Sequence, residues 1–311
     1  MRALACSGMA SGGQAPARTL DPTPPTIGFY PHDVRHLQGT MPTIGVIGTG
    51  SMGRMLIRAL IAGGAASPEE VIASSRSAAP LLEIARETGI TALGSNRAVA
   101  GGADVVFLCV RPSDVRGVLE EVGDCLDADT LLVSIASDVP LSLLAGWTGA
   151  RLVRVIPSIT SAALKGVTLV VRGPNADESD MRVLHSLLGA ISTPVECGED
   201  EIEVMTALTS CGPAFFAAFL RECAASAVRT GMLSPERAET AVRETFIGTA
   251  ALLDGGMETF EEIIDAVATP GGITEAGVQM IGEDLPPLFD RLLQTTITRH
   301  AEVKARIGRT G

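Results

Sequence analysis

The sequence predicts an α/β protein in which an N-terminal Rossmann-type, doubly wound sheet is followed by an all-α domain. Short apolar strands alternate with helical segments as far as residue 197. A glycine-rich turn joins the first strand to the first helix, as in dinucleotide-binding folds. Beyond Gly198 the strand pattern stops and only helical periodicity remains. We therefore predict two domains, at residues 42–197 and 198–307, preceded by a tail at residues 1–41.

The composition argues against several classes of protein. The 311 residues are 46% hydrophobic, which is enough for a sizeable core. The net charge is −12 and Lys and Arg form no cluster, so no nucleic-acid partner is expected. No apolar run is long enough to span a bilayer, and no membrane partner is expected either. The six cysteines form no CxxC pair and the four histidines add no ligand spacing, which indicates no metal site and a cytoplasmic location.

Residues 1–41 show no hydrophobic period and are predicted to be a disordered tail. They are rich in Gly, Pro, Ser and Thr. Because Met41 directly precedes the first strong strand, it is a candidate for the natural start of the protein. A transit peptide is the weaker interpretation, since Asp21 and Asp33 are unusual in one.

Seven apolar segments of the first domain are predicted strands, and four segments between them are predicted helices. The strands are 43–48, 71–74, 104–110, 131–135, 152–156, 167–171 and 194–196, and the helices are 52–62, 80–88, 113–122 and 177–188. Ser113 is the predicted N-cap of its helix. Strands that are apolar throughout are buried on both faces, which indicates a parallel sheet with crossover helices.

The second domain is predicted to consist of helices. They cover residues 214–230, 235–255, 259–268 and about 286–306, with an N-cap at Ser234 and a capping box formed by Thr259 and Glu262. These helices are nearly as apolar as a buried bundle, so a partner chain is expected to cover them. We therefore predict a homodimer formed through this domain, with a larger oligomer left open.

The glycine-rich turn comprises Gly48, Thr49, Gly50, Ser51, Met52 and Gly53, and is called the cofactor turn below. It follows a strand and opens a helix, which is the context that a dinucleotide-binding turn requires. Gly48 permits the tight turn, Gly50 lets a pyrophosphate approach the backbone, and Gly53 lets helix and strand pack closely. The alternative is a glycine-rich turn that binds no nucleotide. Its position between a strand and a helix disfavours that alternative.

The end of the second strand indicates which cofactor binds. NAD sites usually place Asp or Glu there, about 20 residues after the turn, to hold the ribose 2′-hydroxyl. This chain has Ser75 and Arg76 instead, and hydroxyls with a guanidinium suit a 2′-phosphate. We therefore predict NADP, with NADPH preferred over NADH. A solvated loop arginine is the alternative interpretation of Arg76.

Three further loops follow strands and are expected to face the same crevice, because ligands of a doubly wound sheet bind at the carboxyl ends of its strands. They supply the remaining candidate cofactor contacts, which are Val110, Arg111, Pro112, Ala136 and Ser158. Alternatively, Arg111 is a charged residue on the rim of the crevice that does not contact the cofactor.

A second glycine-rich turn, Thr269-Pro270-Gly271-Gly272-Ile273-Thr274, lies in the helical domain and is called the anion turn below. Proline and glycine end one helical pattern, and a threonine opens the next. Backbone N–H groups at such a helix N-terminus form a ready site for a small anion. Taken alone, Thr274 is more simply interpreted as a helix N-cap. A cofactor turn combined with a site for a small carboxylate suggests a reductase.

Together these motifs resemble the pyrroline-5-carboxylate reductase family. The segments that carry the resemblance are residues 48–53, 75–76, 110–112, 134–136, 212–215 and 270–274. The resemblance extends from residue 43 to about residue 306. It implies a Rossmann domain, a helical domain that interlocks with a second subunit, and reduction of the cyclic imine pyrroline-5-carboxylate to proline with NADPH or NADH.

The resemblance also implies roles for the anion turn. Thr274 matches the threonine that hydrogen-bonds the ring nitrogen of the substrate, and it is the candidate catalytic residue. Backbone N–H groups of Gly271, Gly272, Ile273 and Thr274 would hold the substrate carboxylate, and Thr269 stands where the family usually has serine. A protonated imine is already electrophilic, so hydride transfer chiefly needs positioning.

Further residues depart from the reductase pattern. Ser158 replaces an asparagine on the nicotinamide side, Cys211 replaces a serine, and Asp138 replaces a glycine. The segments around Ser158 and Cys211 resemble a divergent branch, the late-competence proteins of Gram-positive bacteria, which keep the fold without a securely assigned reaction. A late-competence paralogue that binds NADP with lost or altered activity is therefore the alternative function.

Other interpretations are weaker. A reductase of a different imine or of a β-hydroxy acid is a third interpretation. A β-hydroxy acid dehydrogenase should carry a catalytic lysine in the linking helix, whereas Lys165 falls in a loop. Cys211 lies near a helix start, where a thiolate nucleophile would be favoured. Because no histidine lies near it in the sequence, we interpret Cys211 as a small buried residue.

Overall fold

The computed structural model describes residues 42–126, 128–257 and 259–310, with side chains described as far as residue 306. The predicted disordered tail and the predicted start at Met41 lie outside the described residues.

An eight-stranded sheet is built from the first part of the described chain. Its strands are β1 Ile44–Ile47, β2 Val71–Ser74, β3 Thr91–Ala92, β4 Val105–Leu108, β5 Leu131–Ser134, β6 Arg151–Ile156, β7 Val167–Arg172 and β8 Thr193–Glu196. They lie in the order β3-β2-β1-β4-β5-β6-β7-β8, so the direction of winding reverses between β1 and β4. This arrangement confirms the predicted Rossmann-type sheet.

One strand pair departs from the predicted parallel sheet. Strand β7 runs antiparallel to β6, whereas β8 is parallel to β7. The connection between β6 and β7, residues 157–166, contains only a short 3-10 helix. A parallel return needs a crossover of about a dozen residues or more, so this connection is too short for one.

Helices between the strands cover both faces of the sheet. They are α1 Ser51–Ala62, α2 Ala78–Thr88, α3 Asn96–Ala100, α4 Val115–Val122, α5 Leu141–Trp147 and α6 Glu178–Gly189. Successive strand residues alternate between two apolar clusters: Val46 packs in the cluster of α1, α2 and α6, and Ile47 in the cluster of α3, α4 and α5. Burial on both faces explains why the central strands β1, β4 and β5 are almost wholly apolar.

The predicted N-cap at Ser113 is wrong. Residues Pro112–Asp114 form a 3-10 turn, and α4 begins after it at Val115, with Asp114 at the N-cap position. The proline at the start of the 3-10 turn tightens the chain before the α-helix begins, which displaces the helix start. The short elements α3, α5 and β3 were not predicted, because each is too short to show a clear apolar period.

The second part of the chain is helical. It comprises α7 Ile202–Thr209, α8 Gly212–Arg229, α9 Pro235–Asp254, α10 Phe260–Val267 and α11 Ile273–Thr310. The predicted caps are confirmed: the Ser234 hydroxyl accepts a hydrogen bond from the Arg237 N–H, and Thr259 and Glu262 form a capping box. The predicted start of the last helix near residue 286 is wrong, since α11 begins at Ile273 and contains Pro286 and Pro287. Each proline lacks the backbone N–H that would donate a helical hydrogen bond, but the helix continues on both sides of the two prolines.

Helices α8 to α11 leave large apolar side chains exposed. On α10, Phe260, Ile264 and Val267 share one face and are 70%, 40% and 57% exposed. Others on these helices are Phe216, Phe219, Phe246, Ile247, Leu252, Met280, Ile281, Leu288 and Phe289. Such a surface is typical of a protein–protein interface.

Among the described helices, no single one has the length and apolar composition of a membrane span. The pair α7 and α8 meets that criterion only jointly, across a bend of 42°.

Candidate active site

The cofactor turn brings α1 against the end of β1. Gly48 has a left-handed backbone with φ 103°, and a Cβ on it would lie 2.7 Å from the Cys109 carbonyl oxygen. A Cβ on Gly53 would lie 2.0 Å from the Gly48 carbonyl oxygen. No larger residue fits either position without moving backbone, so glycine is required for this close approach.

The outer side of the turn is open. A Cβ on Gly50 would meet no atom within 4 Å, and Gly50 occupies the N-cap position of α1. The first turn of α1 carries no acidic residue, so its N–H groups present an uncompensated positive dipole. The Thr49 hydroxyl is buried and has no hydrogen-bond partner among the described residues. Open space, free N–H groups and an unsatisfied hydroxyl fit a pyrophosphate.

Two predicted cofactor residues converge beside this turn. Arg76 follows β2 and Arg111 follows β4, the two strands that flank β1. Asp114 joins them: its Oδ2 lies 3.1 Å from Arg111 Nη2 and 3.5 Å from Arg76 Nη1. The hydrogen bond from Arg111 is the main reason that the pKa of Asp114 lies below its ordinary value. Both guanidinium groups remain mostly exposed, at 78% and 68%, and are accessible to a phosphate.

The other predicted cofactor residues differ in how far they are buried. Ser51 is exposed, and Met52, Ser75, Val110 and Pro112 are partly buried. Ala136 is 3% exposed at the end of β5, on the same edge of the sheet.

The loop after β5 is held by residues that the sequence-based prediction missed. Arg154 of β6 is 1% exposed, donates a hydrogen bond to the Ser137 carbonyl, and pairs with Glu199 at 2.7 Å. The available signal was an arginine inside the apolar stretch of residues 152–156. Asp138, the unexpected acid, lies 3.6 Å from Nδ1 of His300 on α11. Asp138 is therefore part of a contact between this loop and the C-terminal helix.

The two segments that depart from the reductase pattern contact each other. The Ser158 hydroxyl donates to the Thr209 carbonyl at 3.0 Å and accepts from the Thr160 hydroxyl at 2.9 Å. The Ser210 hydroxyl donates to the Pro157 carbonyl at 3.3 Å. Ser158 is 1% exposed, so its hydroxyl serves this junction, and its predicted contact with the cofactor stays a prediction.

Cys211 lies at the N-cap position of α8. Burial raises the pKa of its thiol above the ordinary value. Cys211 is partly buried, and the raised pKa is the opposite of the shift that a nucleophilic cysteine needs, so we interpret it as a packing residue.

The anion turn precedes α11. Gly271 has a left-handed backbone with φ 72°, and the Gly272 N–H donates to the Thr269 carbonyl at 2.8 Å. Because α11 begins at Ile273, Thr274 lies within the first turn of the helix, and its interpretation as an N-cap is wrong. Ile273 is 95% exposed. Among the described residues, no hydrogen bond or ion pair joins the anion turn to the cofactor turn of the same chain.

A dinucleotide-type turn at the switch point of a doubly wound sheet, followed by a helical domain, defines a Rossmann-type NAD(P)-dependent oxidoreductase. The family model described as pyrroline-5-carboxylate reductase dimerisation matches residues 199–303, and the model described as NADP oxidoreductase, coenzyme F420-dependent, matches residues 43–138. The chain belongs to the pyrroline-5-carboxylate reductase family.

Individual relatives agree with this assignment. Pyrroline-5-carboxylate reductase 3 of Bacillus subtilis is 32% identical over 86% of this chain and 99% of its own length. ComE operon protein 4 of the same organism is 31% identical over 83% of this chain and 95% of its own length. The solved structure of a pyrroline-5-carboxylate reductase from Coxiella burnetii is 29% identical, covers 85% of this chain and 99% of its own, and superposes with a TM-score of 0.80.

Substitutions in the cofactor turn separate folding from binding. We expect Gly53→Ala to destabilise the fold by about 2 kcal/mol, because its Cβ overlaps the Gly48 carbonyl. Gly50→Ala meets no protein atom and should cost less than about 1 kcal/mol, yet weaken NADPH binding at least tenfold (roughly 1.4 kcal/mol). Urea unfolding and NADPH fluorescence titration measure the two effects. Unchanged NADPH affinity in Gly50→Ala would contradict the assignment of the pyrophosphate site.

Proposed function

We propose that this protein reduces pyrroline-5-carboxylate to proline with NADPH. The observation that carries the proposal is the Pro-Gly-Gly turn at the start of α11, with a left-handed Gly271 and Thr274 in the first helical turn. Family membership supports the same reaction. The proposed organisation places cofactor binding in residues 42–197, and substrate binding and dimerisation in residues 198–307. We also propose a cytoplasmic location.

The residues of this chain act mainly by positioning. Bound NADPH would supply the hydride. The Thr274 hydroxyl hydrogen-bonds the ring nitrogen of the imine, and N–H groups of the anion turn hold its carboxylate. These contacts orient the imine carbon toward the crevice. No general acid or base is required of the protein, since the protonated imine is already electrophilic.

Arg76 and Arg111 are proposed to bind the 2′-phosphate of the cofactor. They approach the crevice from the strands on either side of β1 and are held together by Asp114. A guanidinium pair with exposed donors suits a phosphate better than a ribose hydroxyl. This arrangement supports a preference for NADPH over NADH.

Replacing Arg76 tests this preference. Arg76→Ala should raise the Kd for NADPH about tenfold and leave the Kd for NADH unchanged, because only NADPH carries the 2′-phosphate. Fluorescence titration with both nucleotides gives the ratio of the Kd for NADH to the Kd for NADPH. Arg116→Ala is the control, since Arg116 lies on α4 and pairs with Glu120. An unaltered ratio in Arg76→Ala would remove the argument for NADPH.

A second copy of this chain is the proposed partner of the exposed apolar helices. The stripe of Phe260, Ile264 and Val267 on α10 continues into the anion turn. We propose a homodimer in which this region of one subunit packs on the other, with a larger oligomer built from dimers left open. In such a dimer the anion turn of one subunit is available to the crevice of its partner.

The oligomeric state is measured by light scattering. The protein should have at least twice the mass of one chain, and Ile264→Glu should shift it toward the monomer, because a charge would be buried in the interface. Leu82→Glu is the control, since Leu82 is 48% exposed on α2. A wild-type monomer at micromolar concentration would contradict the proposal.

Activity is tested by following NADPH oxidation with pyrroline-5-carboxylate. Thr274→Val should reduce kcat/KM about 10- to 100-fold, because it removes one hydrogen bond to the reacting ring, and should leave the Kd for NADPH unchanged. Thr274→Ser keeps the hydroxyl and should retain activity. Equal activity in Thr274→Val and wild type would contradict the role of Thr274.

A late-competence paralogue with lost or altered activity is the second candidate function. It is favoured by the relationship to ComE operon protein 4 and by the engagement of Ser158 in a buried junction. Wild-type protein that binds NADPH without oxidising it in the presence of pyrroline-5-carboxylate would support this alternative. Rescue of a proline auxotroph would support the reductase.

A further inference from the structure

The anion turn holds a carboxylate that belongs to the protein. Glu275 is the third residue of α11, and its Oε2 accepts a hydrogen bond of 2.8 Å from the backbone N–H of Gly271. This N–H is one of the groups proposed above to hold the carboxylate of the substrate. The side chain of Glu275 therefore occupies part of that site in the structure.

The remaining N–H groups of the turn divide into two sets. The Gly272 N–H is engaged by the Thr269 carbonyl at 2.8 Å. The N–H groups of Ile273 and Thr274 belong to the first turn of α11, where an α-helix provides no acceptor. A substrate carboxylate would bind these two groups next to Glu275, or would displace Glu275 from Gly271.

Either arrangement places two negative charges close together. In the part of the chain that the structure describes, no Lys, Arg or His forms an ion pair with Glu275. The positive end of the helix dipole is thus shared between Glu275 and any anionic ligand. Like charges bound at the same helix N-terminus oppose each other, even where solvent reduces the effect.

We infer that Glu275 is a specificity-determining residue that disfavours cyclic imines carrying a carboxylate relative to cyclic imines without one. The inference rests on the proposed function, because it takes the anion turn as the carboxylate site. The carboxylate of the substrate then contributes less to binding than it would if the N–H groups of the turn were present without Glu275.

Glu275→Gln isolates the charge. Glutamine keeps an oxygen that accepts from the Gly271 N–H, so the turn and the start of α11 are preserved, and only the negative charge is lost. Glu283→Gln is the matched control, because Glu283 is an exposed residue of the same helix and undergoes the same change of charge.

The experiment measures binding, so it does not require turnover. Tetrahydrofuran-2-carboxylate, an unreactive ring carboxylate, is titrated into the NADP-loaded, full-length protein by calorimetry. We expect its Kd to fall about tenfold in Glu275→Gln, since one opposing charge is removed, and to stay unchanged in Glu283→Gln. In turnover, the KM for pyrroline-5-carboxylate should fall relative to that for 1-pyrroline, which has the same ring without the carboxylate.

The outcomes separate the inference from the proposed function. Equal Kd values in wild type and Glu275→Gln would overturn the role of Glu275 while leaving the anion turn as the carboxylate site. If neither protein bound the ring carboxylate although both bound NADP, the carboxylate site itself would be wrong, and the inference would fall with it. Binding by Glu275→Gln alone would support both.

Discussion

The contact between helix α1 and the end of β1 is the constraint on which the geometry of the crevice depends. With no side chain at Gly53, the helix approaches the Gly48 carbonyl to a distance that would place a Cβ only 2.0 Å away. The N–H groups of the first helical turn consequently lie at the switch point of the sheet, between β1 and β4. β2 and β4 flank β1, and the arginines that follow these two strands share the carboxylate of Asp114.

Polar contacts join the two halves of the chain, while apolar faces remain for a partner. Asp138 in the loop after β5 meets His300 of α11, and Ser158 in the loop after β6 meets Thr209 of α7. Hydrogen bonds depend on direction, so they orient the helical part against the sheet, while Ile202 and Met205 of α7 pack in the apolar cluster of the sheet. The stripe of α10 is exposed in the part of the chain that the structure describes, which is consistent with an interface to a second copy.

Each proposed anion site contains an acid of the protein itself. Asp114 lies between Arg76 and Arg111, and Glu275 accepts from the Gly271 N–H. The physical consequences differ. Asp114 is surrounded by two cations, so it keeps them together and leaves positive charge in excess. Glu275 accepts from a backbone N–H and has no ion-pair partner among the described residues, so its charge adds to that of an incoming carboxylate.

The sequence by itself determined the features that depend on neighbours along the chain. Apolar strands, the glycine-rich turn between a strand and a helix, the N-cap at Ser234 and the capping box at Thr259 follow from local periodicity and local hydrogen bonding, and the structure confirms them. Only the tertiary structure decided the antiparallel β7, the unbroken helix α11, the burial of Ser158 and the pairing of Asp138 with His300. These features join residues far apart in the chain, and their energies depend on which groups folding brings together, which no local pattern encodes.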